Sequence, residues 1–184
     1  DGQSYYDGVD IQAEAFYTRL STSSSIPTTS QVTVQQFVDV YRKLLDAGHD
    51  VISLNLSSGI SGTVESAMIA KEQFPGAPLL VVDTKLVAMA LSLMVLAVAR
   101  AAEAGADLQA CKAVADEVFP KIGDYFTVDT LTYLHKGGRI KSAKRLMGTA
   151  LNLKPLMEIN ECKIELVERV LSRKKAITRI LDLA

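Results

Sequence analysis

Hydroxyl and glycine residues follow abruptly on a short apolar run in the segment Asn55-Leu-Ser-Ser-Gly-Ile-Ser-Gly-Thr-Val-Glu-Ser-Ala67. Residues 51–56 have the β-branched and aliphatic content of a buried strand, and the residues after Gly62 recur at helical spacing. A strand-to-helix turn points several backbone N–H groups and the positive end of a helix dipole at one place. This segment therefore suits the binding of an anion, either a phosphate or a carboxylate.

The same segment also has a purely structural interpretation, because serine and glycine are common in ordinary turns. Ser61 or Gly62 could be the N-cap of the following helix, with Glu65 adding negative charge to its first turn. Residues 59–63 lack the G-x-S-x-G pattern of a nucleophile elbow, so a hydrolase serine is unsupported. No lysine follows Gly62, which excludes a P-loop. Helix capping and anion binding are compatible, and both stay open.

Alternating helices and strands must position this turn. Thr33 and Gln36 form the capping box of a helix with a continuous apolar stripe. The strand at residues 51–56 and its turn come next, then a helix, then a continuous apolar run at residues 78–83 that is typical of a buried parallel strand. This order of elements predicts a parallel α/β sheet.

Polar side chains follow both predicted strands. Ligands of parallel α/β sheets bind outside the carboxyl ends of the strands, and Ser57 and Asp83 are expected at that edge. His49 precedes the first of these strands, so we expect it away from the binding edge. Because no carboxylate pair accompanies the turn, it lacks a convincing general base.

A nearly unbroken apolar stretch occupies residues 86–99 and continues as a helix to Gly105. With about 14 residues it is too short to span a bilayer. The pattern predicts a core helix that is apolar all round. Packing alone explains this helix, although its small residues could also leave room for an apolar ligand. Those residues are Ala88, Ala90, Ala97 and Ala99.

The pattern changes after residue 124. A short strand near Phe126 and a brief helix at residues 131–136 are followed by strand-like runs at residues 154–159 and 163–170. Asn160-Glu161 separates the two runs, and the pattern predicts a β-hairpin. This part of the chain is expected to be α+β.

We place a domain boundary near Ile122-Gly123. Residues 1–122 would form a parallel α/β domain, and residues 123–184 part of a second, α+β domain. The chain has no initiator methionine, and a helical pattern continues through its last residues. We therefore expect the chain to be a piece of a longer protein.

Composition narrows the function classes. The net charge of -1 and the absence of tryptophan leave no basic, aromatic surface of the kind that binds nucleic acid. Cys111 and Cys162 lie far apart without a C-x-x-C motif or a nearby histidine, so a zinc site is not expected. The two residues are expected to be reduced, buried thiols of a cytoplasmic protein.

Five short motifs, distributed over most of the chain, occur in an order that resembles the DegV family. They are Pro27-Thr-Thr-Ser-Gln31, Leu56-Ser-Ser-Gly-Ile-Ser-Gly-Thr63, Val81-Val-Asp-Thr-Lys85, Tyr133-Leu-His-Lys-Gly-Gly-Arg-Ile140 and Leu151-Asn-Leu-Lys-Pro-Leu156. The resemblance implies a two-domain α/β fold with a parallel-sheet first domain and an α+β second domain. It also implies that one long-chain fatty acid, such as palmitate, binds in the interdomain cleft.

The resemblance assigns roles by position. Thr29 and Ser61 match the two hydroxyls that hold the fatty-acid carboxylate in this family. Arg139 matches an arginine near the cleft, and its role is left open. The remaining residues of the implied pocket are Ser30, Ser58, Gly62 and Thr63.

Several members of the family are carrier subunits of bacterial fatty acid kinase, which present the carboxylate for phosphorylation to an acyl phosphate. The resemblance therefore implies a bacterial, cytoplasmic carrier that is not itself an enzyme. Its partners would be the fatty acid and a separate kinase subunit, with no metal, no other cofactor, no nucleic acid and no stable membrane insertion. The alternatives are a small-molecule enzyme that uses the Ser-Gly-Thr turn as a phosphate site, and a lipid-sensing interaction module.

Two segments depart from the family pattern. Val32-Thr33 replaces the usual Pro-Ser, and the serine- and glycine-rich segment of the family is apolar at residues 83–90. The first strand of the fold and the last part of the second domain are expected to be missing. That last part carries a histidine that contacts the carboxylate in some members.

Overall fold

The structure is a computed structural model that describes residues 2–140 and 154–183. The chain divides into two compact units, residues 1–30 and residues 31–184. The first unit contains helix α1 (Ala13–Thr22), which has no buried side chain. The hydroxyl-rich residues that follow α1 form a loop, as their composition predicts.

A parallel pair of strands lies at the centre of the first half of the second unit. Strands β1 (Val51–Asn55) and β2 (Leu79–Asp83) pair in register, with Val51 opposite Leu79 and Asn55 opposite Asp83. The carboxyl ends of both strands therefore lie at one edge. This pairing confirms the predicted parallel sheet.

Four helices accompany these strands, and their bounds agree with the sequence patterns. They are α2 (Val34–Asp46), α3 (Thr63–Lys71), α4 (Ala88–Glu103) and α5 (Leu108–Val118). The predicted capping box at the start of α2 is present, with the Thr33 hydroxyl accepting from the Gln36 N–H. A short 3₁₀ helix, Phe119–Lys121, follows α5.

The two faces of the sheet support two separate cores. Val51 packs with Val38, Tyr41 and Ala67 of α2 and α3. Ile52 and Leu54 pack instead with the buried residues of α4 and α5. Successive residues of β1 thus serve opposite layers, which follows from the two-residue period of a strand.

Helix α4 is buried on one side only. Ala90, Met94 and Val98 are buried, whereas Met89 is 72% exposed and Leu93 is 54% exposed. The helix is apolar all round, as predicted, but it is buried on one side only, so the prediction of a core helix is wrong for its other side. Apolar composition predicts burial only if other elements cover both sides, and α4 packs on α5 and the sheet with a single stripe.

The second half of this unit contains an antiparallel sheet of order β3-β4-β5. The strands are β3 (Tyr125–Thr127), β4 (Lys154–Asn160) and β5 (Lys163–Val170). Helix α6 (Thr132–Lys136) follows β3, and α7 (Arg173–Leu183) follows β5. The predicted short helix and hairpin are confirmed.

The hairpin turn differs from the prediction by one residue. Asn160 ends β4, and the turn residues are Glu161 and Cys162, with φ of 45° and 64°. Positive φ at both central residues is the pattern of a type I′ turn, which usually takes asparagine and glycine. Neither turn residue carries that usual signal, and this explains the shift.

The mixed fold class is confirmed, with the parallel sheet before Ile122 and the antiparallel sheet after it. The division into domains at residues 1–122 and 123–184 stays a prediction. Residues 151–153 of the last family motif lie outside the described residues.

Candidate ligand-binding site

The loop after β1, residues 56–62, folds back on itself around Ser57. The backbone N–H of Ser57 donates to the carbonyl of Leu86 at 2.9 Å. The carbonyl of Ser57 accepts from the N–H groups of Ile60 and Ser61 at 3.0 and 3.1 Å. These bonds form a compact turn, and α3 begins directly after it at Thr63.

Two hydroxyls meet at the start of α3. The oxygens of Ser61 and Thr63 are 2.8 Å apart, and the N–H of Thr63 donates to the Ser61 hydroxyl at 3.3 Å. Gly62 is the N-cap residue and has no side chain to cap the helix. Because hydroxyls both donate and accept, this pair can turn its hydrogens toward an anion at the positive end of the helix.

The side chain of Gln31 lies against this helix start. Its Nε2 donates to the Ser66 hydroxyl at 3.0 Å. A Cβ on Gly62 would overlap the amide of Gln31. The glycine therefore permits this close approach, and the contact fixes the beginning of the second unit against the loop.

The loop after β2, residues 84–87, is tied to the first loop. Thr84 is 2% exposed, and both its N–H and its hydroxyl donate to the carbonyl of Asn55, at 3.1 and 2.8 Å. Asp83 Oδ1 accepts from the N–H of Ser58 at 3.2 Å. The polar groups of this second loop thus hold the end of β1 and the start of the first loop.

The entry into α4 carries backbone strain and a partly buried carboxylate. Lys85 and Ala88 have φ of 59° and 46°, a region that side chains other than glycine seldom adopt. Asp124 Oδ2 accepts from the N–H of Val87 at 3.1 Å. Burial raises the pKa of the Asp124 carboxyl, and the bond from Val87 opposes this in part. Asp124 therefore holds Val87, the residue before α4, from a distant part of the chain.

Arg139 belongs to the antiparallel region, by which we mean residues 125–140 and 154–183, and its side chain contacts the loop after β1. Its Nε donates to the carbonyl of Ile60 at 3.2 Å, and its Nη1 donates to the carbonyl of Gly137 at 2.6 Å. Next to Ile60, a Cβ on Gly59 would overlap the carbonyl of Cys162. Two successive residues of the loop are therefore in contact with residues much later in the chain.

The structure brings together part of the predicted site. Ser61, Gly62 and Thr63 share the helix start, Ser58 is bound to Asp83, and Arg139 contacts the same loop through a main-chain carbonyl. Thr29 and Ser30 are exposed residues at the end of the first unit, and their part in the site stays a prediction.

Sequence reasoning did not single out several residues that shape the loop. The family motifs include Gln31 and Thr84 without giving them a role, and no motif includes Cys162. All three act through tertiary contacts, which no local pattern specifies. Ser57 was expected at the edge, but its hydroxyl is fully buried and has no hydrogen-bond partner among the described residues.

Two depressions flank the sheet at opposite ends. A cavity of about 140 Å³ lies at the carboxyl end of β2 and is lined by Asp83, Lys85 and Phe119 among others. A groove of about 510 Å³ at the other end includes His49. The histidine is therefore remote from the loop after β1, as its position before β1 predicts.

Within the described part of the chain, no group of three His, Cys, Asp or Glu side chains could hold a metal ion. Over the same residues, no helix combines the length and apolar character that crossing a membrane requires.

Comparison with known proteins places this geometry in a family context. A family model described as "Uncharacterised protein, DegV family" matches residues 1–184. A DegV domain-containing protein of Listeria innocua is 36% identical over 184 residues, an alignment that covers 100% of this chain and 65% of that protein.

Solved structures give the same result. A DegV family protein from Thermus thermophilus, described as fatty acid binding, matches with a TM-score of 0.87 and 36% identity over 97% of this chain and 64% of that one. A stearic acid-binding protein from Eubacterium ventriosum matches with a TM-score of 0.87 and 28% identity, covering 99% of this chain and 64% of that one. The chain thus spans slightly less than two thirds of each of these proteins.

Proposed function

Because this chain belongs to the DegV family, we propose that it binds one long-chain fatty acid and presents the carboxylate to a separate kinase subunit. The observation that carries the binding step is the match to the Thermus thermophilus protein, described as fatty acid binding, at 36% identity. The kinase step rests on the family resemblance. In that step the γ-phosphoryl group of ATP moves to a carboxylate oxygen, and ADP leaves.

The start of α3 supplies the head-group chemistry. Ser61 and Thr63 place two hydroxyls 2.8 Å apart beside the positive end of the helix. In the proposed complex Ser61 donates to the carboxylate, and Thr29 supplies a second hydroxyl. Hydroxyls hold a carboxylate without the bidentate grip of an arginine, so one oxygen stays available to a phosphoryl donor. Ser30, Ser58, Gly62 and Arg139 complete the proposed site.

The acyl tail would supply most of the affinity. Burial of each CH₂ group contributes about 0.8 kcal/mol, so a 16-carbon tail offers roughly 10 kcal/mol before ordering costs. Helix α4 presents the apolar surface that such a tail needs, because Met89, Leu93 and Leu96 are 72%, 54% and 51% exposed. Apolar side chains exposed together on one helix commonly mark a binding surface.

The proposal gives the chain no catalytic residue and places the protein in the bacterial cytoplasm, where a kinase partner finds ATP. The alternative enzyme would use the start of α3 for a phosphorylated metabolite, since a helix N-terminus accepts either anion. That enzyme would need a base at the turn. His49 lies at the opposite end of the sheet, which favours the carrier.

Native mass spectrometry of the purified protein, followed by lipid extraction, tests the binding step. We expect about one long-chain fatty acid per chain, either co-purified or taken up from added palmitate. Failure to take up palmitate would contradict the proposal. A lipid-sensing module would bind the fatty acid equally well and yield no acyl phosphate with a kinase subunit and ATP.

The second test joins Ser61→Ala with Thr29→Ala. The double variant should keep its tail contacts and lose most acyl-phosphate formation, because the carboxylate is no longer oriented. Thr178→Ala is the matched control, since among the described residues its hydroxyl bonds within α7, to the carbonyl of Lys174. Unchanged acyl-phosphate formation in the double variant would show that these hydroxyls do not hold the head group.

A further inference from the structure

Arg139 contacts the loop after β1 at a main-chain atom. Its Nε donates to the carbonyl of Ile60 at 3.2 Å, across a sequence separation of 79 residues. Its Nη1 donates to the carbonyl of Gly137 at 2.6 Å, which anchors the guanidinium on its own segment. Two donors of the planar guanidinium are thus committed to backbone carbonyls, and the arginine forms a bridge from Gly137 to Ile60.

The Ile60 carbonyl belongs to the same rigid peptide plane as the N–H of Ser61. That N–H donates to the carbonyl of Ser57 at 3.1 Å. The plane is therefore held at both ends, by Arg139 on the oxygen and by Ser57 on the nitrogen. The Ser61 Cα also lies in this plane. The orientation of the plane therefore determines where the Ser61 hydroxyl lies relative to α3.

A second contact limits movement of the preceding residue. The carbonyl of Cys162 occupies the space that a Cβ on Gly59 would need. This carbonyl is backbone of the β4–β5 turn, so it cannot swing aside as a side chain can. The positive φ values of Glu161 and Cys162 further restrict the turn. Gly59 and Ile60 are thus both in contact with the antiparallel region.

We propose that Arg139 is a positioning residue for the head-group site: it holds the peptide plane that carries Ser61, and it does not bind the carboxylate itself. This inference deepens the fatty-acid proposal and rests on it for the identity of the ligand. A residue of the antiparallel region thereby fixes the geometry of the loop that follows β1 of the parallel sheet.

Hydrogen–deuterium exchange of the ligand-free protein tests the positioning directly. Arg139→Ala should accelerate exchange of the Ser61 amide by about fivefold, the loss expected when one supporting hydrogen bond is removed. Arg139→Gln should restore much of the protection, because its amide can donate to the Ile60 carbonyl without carrying charge. Arg100→Ala on the exposed end of α4 is the control and should change nothing. Unchanged exchange in Arg139→Ala would overturn the inference.

A double-mutant cycle with palmitate separates positioning from direct contact. Arg139→Ala should weaken palmitate binding severalfold in the wild-type background and leave it unchanged in Ser61→Ala. Arg139→Gln should bind nearly as well as wild type. Equal losses in both backgrounds, or a glutamine variant as weak as alanine, would show that the charge acts on the carboxylate itself. If exchange responds as expected and wild type binds no palmitate, the positioning stands and the fatty-acid function fails.

Discussion

Two loops leave the carboxyl ends of β1 and β2, and they use their polar groups in opposite ways. The loop after β1 keeps Ser58 exposed and Ser61 half-buried. In the loop after β2 the Thr84 hydroxyl donates inward to the carbonyl of Asn55, and the Val87 N–H donates to the Asp124 carboxylate. In the proposed complex the first loop offers the hydroxyls of Ser58 and Ser61 to the ligand, whereas the second loop uses the Thr84 hydroxyl to support the first.

The difference shows that position in the fold does not alone determine role. Both loops follow parallel strands at one edge, where ligands of such sheets bind. Burial separates Thr84 from Ser58 and Ser61, because a buried hydroxyl cannot reach a ligand and the Thr84 hydroxyl bonds within the protein instead. Changes in the loop after β2 should therefore lower stability, and changes in the hydroxyls of the loop after β1 should lower binding.

The largest change in the free energy of unfolding is expected from Gly59→Ala, a substitution in the loop after β1. The added methyl group would collide with the backbone carbonyl of Cys162, and overpacking against backbone lowers the free energy of unfolding by about 3 kcal/mol. Urea denaturation measures this change. Gly62→Ala is the control within the same loop, because its Cβ meets the flexible side chain of Gln31 and should be tolerated better. Equal stability of the two variants would contradict the Gly59 contact.

Thr84→Val tests the supporting role of the loop after β2. The valine keeps the shape but leaves the Asn55 carbonyl with one donor fewer and the Leu86 N–H without its acceptor. The expected loss is about 2 kcal/mol in the free energy of unfolding, and Thr84→Ser should recover much of it. Ser61→Ala should change stability far less and palmitate affinity far more. A large stability loss in Ser61→Ala would remove the contrast.

The supporting role of the loop after β2 should depend on pH, because Asp124 accepts from Val87 in that loop. Because burial raises its folded pKa above the unfolded value of about 4, the folded state binds the proton more tightly. Its contribution to stability is therefore present at low pH and is lost as the pH rises from about 4 through the folded pKa. Asp124→Asn should remove this component and still accept from Val87. Urea titrations between pH 4 and 7 measure it, and an identical pH profile for Asp124→Asn would refute the assignment.

The smallest effect should follow from Ala88→Gly. The residue has a φ of 46°, which glycine adopts without strain, so the free energy of unfolding should rise by about 0.5 kcal/mol. Ala99→Gly in the interior of α4 should lower it by about 0.5–1 kcal/mol, because glycine is a poor helix former. Thermal denaturation compares the two. Equal destabilisation by both substitutions would show that the positive φ of Ala88 does not strain the backbone.

Much of the fold was accessible from sequence because its signals are local. The capping box at Thr33 and Gln36, the apolar strands and the short helix before Gly137 all depend on neighbouring residues. The turn between β1 and α3 was accessible for the same reason, since a hydroxyl- and glycine-rich turn after a strand is a continuous pattern, and its role in ligand binding stays a prediction.

The failures share a physical cause, which is dependence on contacts between distant residues. The exposed side of α4 depends on what covers the helix, and hydrophobic periodicity does not show this. The Arg139 bond to Ile60 and the contact of the Cys162 carbonyl with Gly59 join the loop after β1 to residues about 80 or more positions later in the chain. Motif reading therefore found Arg139 but not the group that it contacts.

The placement of the β4–β5 turn on Gly59 also provides a natural reporter. Cys111 is only 3% exposed, as expected, but Cys162 is half-buried, so the expectation that both thiols are buried is wrong for Cys162, which lies in an exposed turn of the hairpin. A thiol-reactive fluorophore should therefore label Cys162 preferentially. The chain has no tryptophan, so no tryptophan fluorescence adds to the signal of the dye. A label at this position would read out the environment of the Ser61 loop in real time, and stopped-flow mixing could then follow the arrival of a ligand.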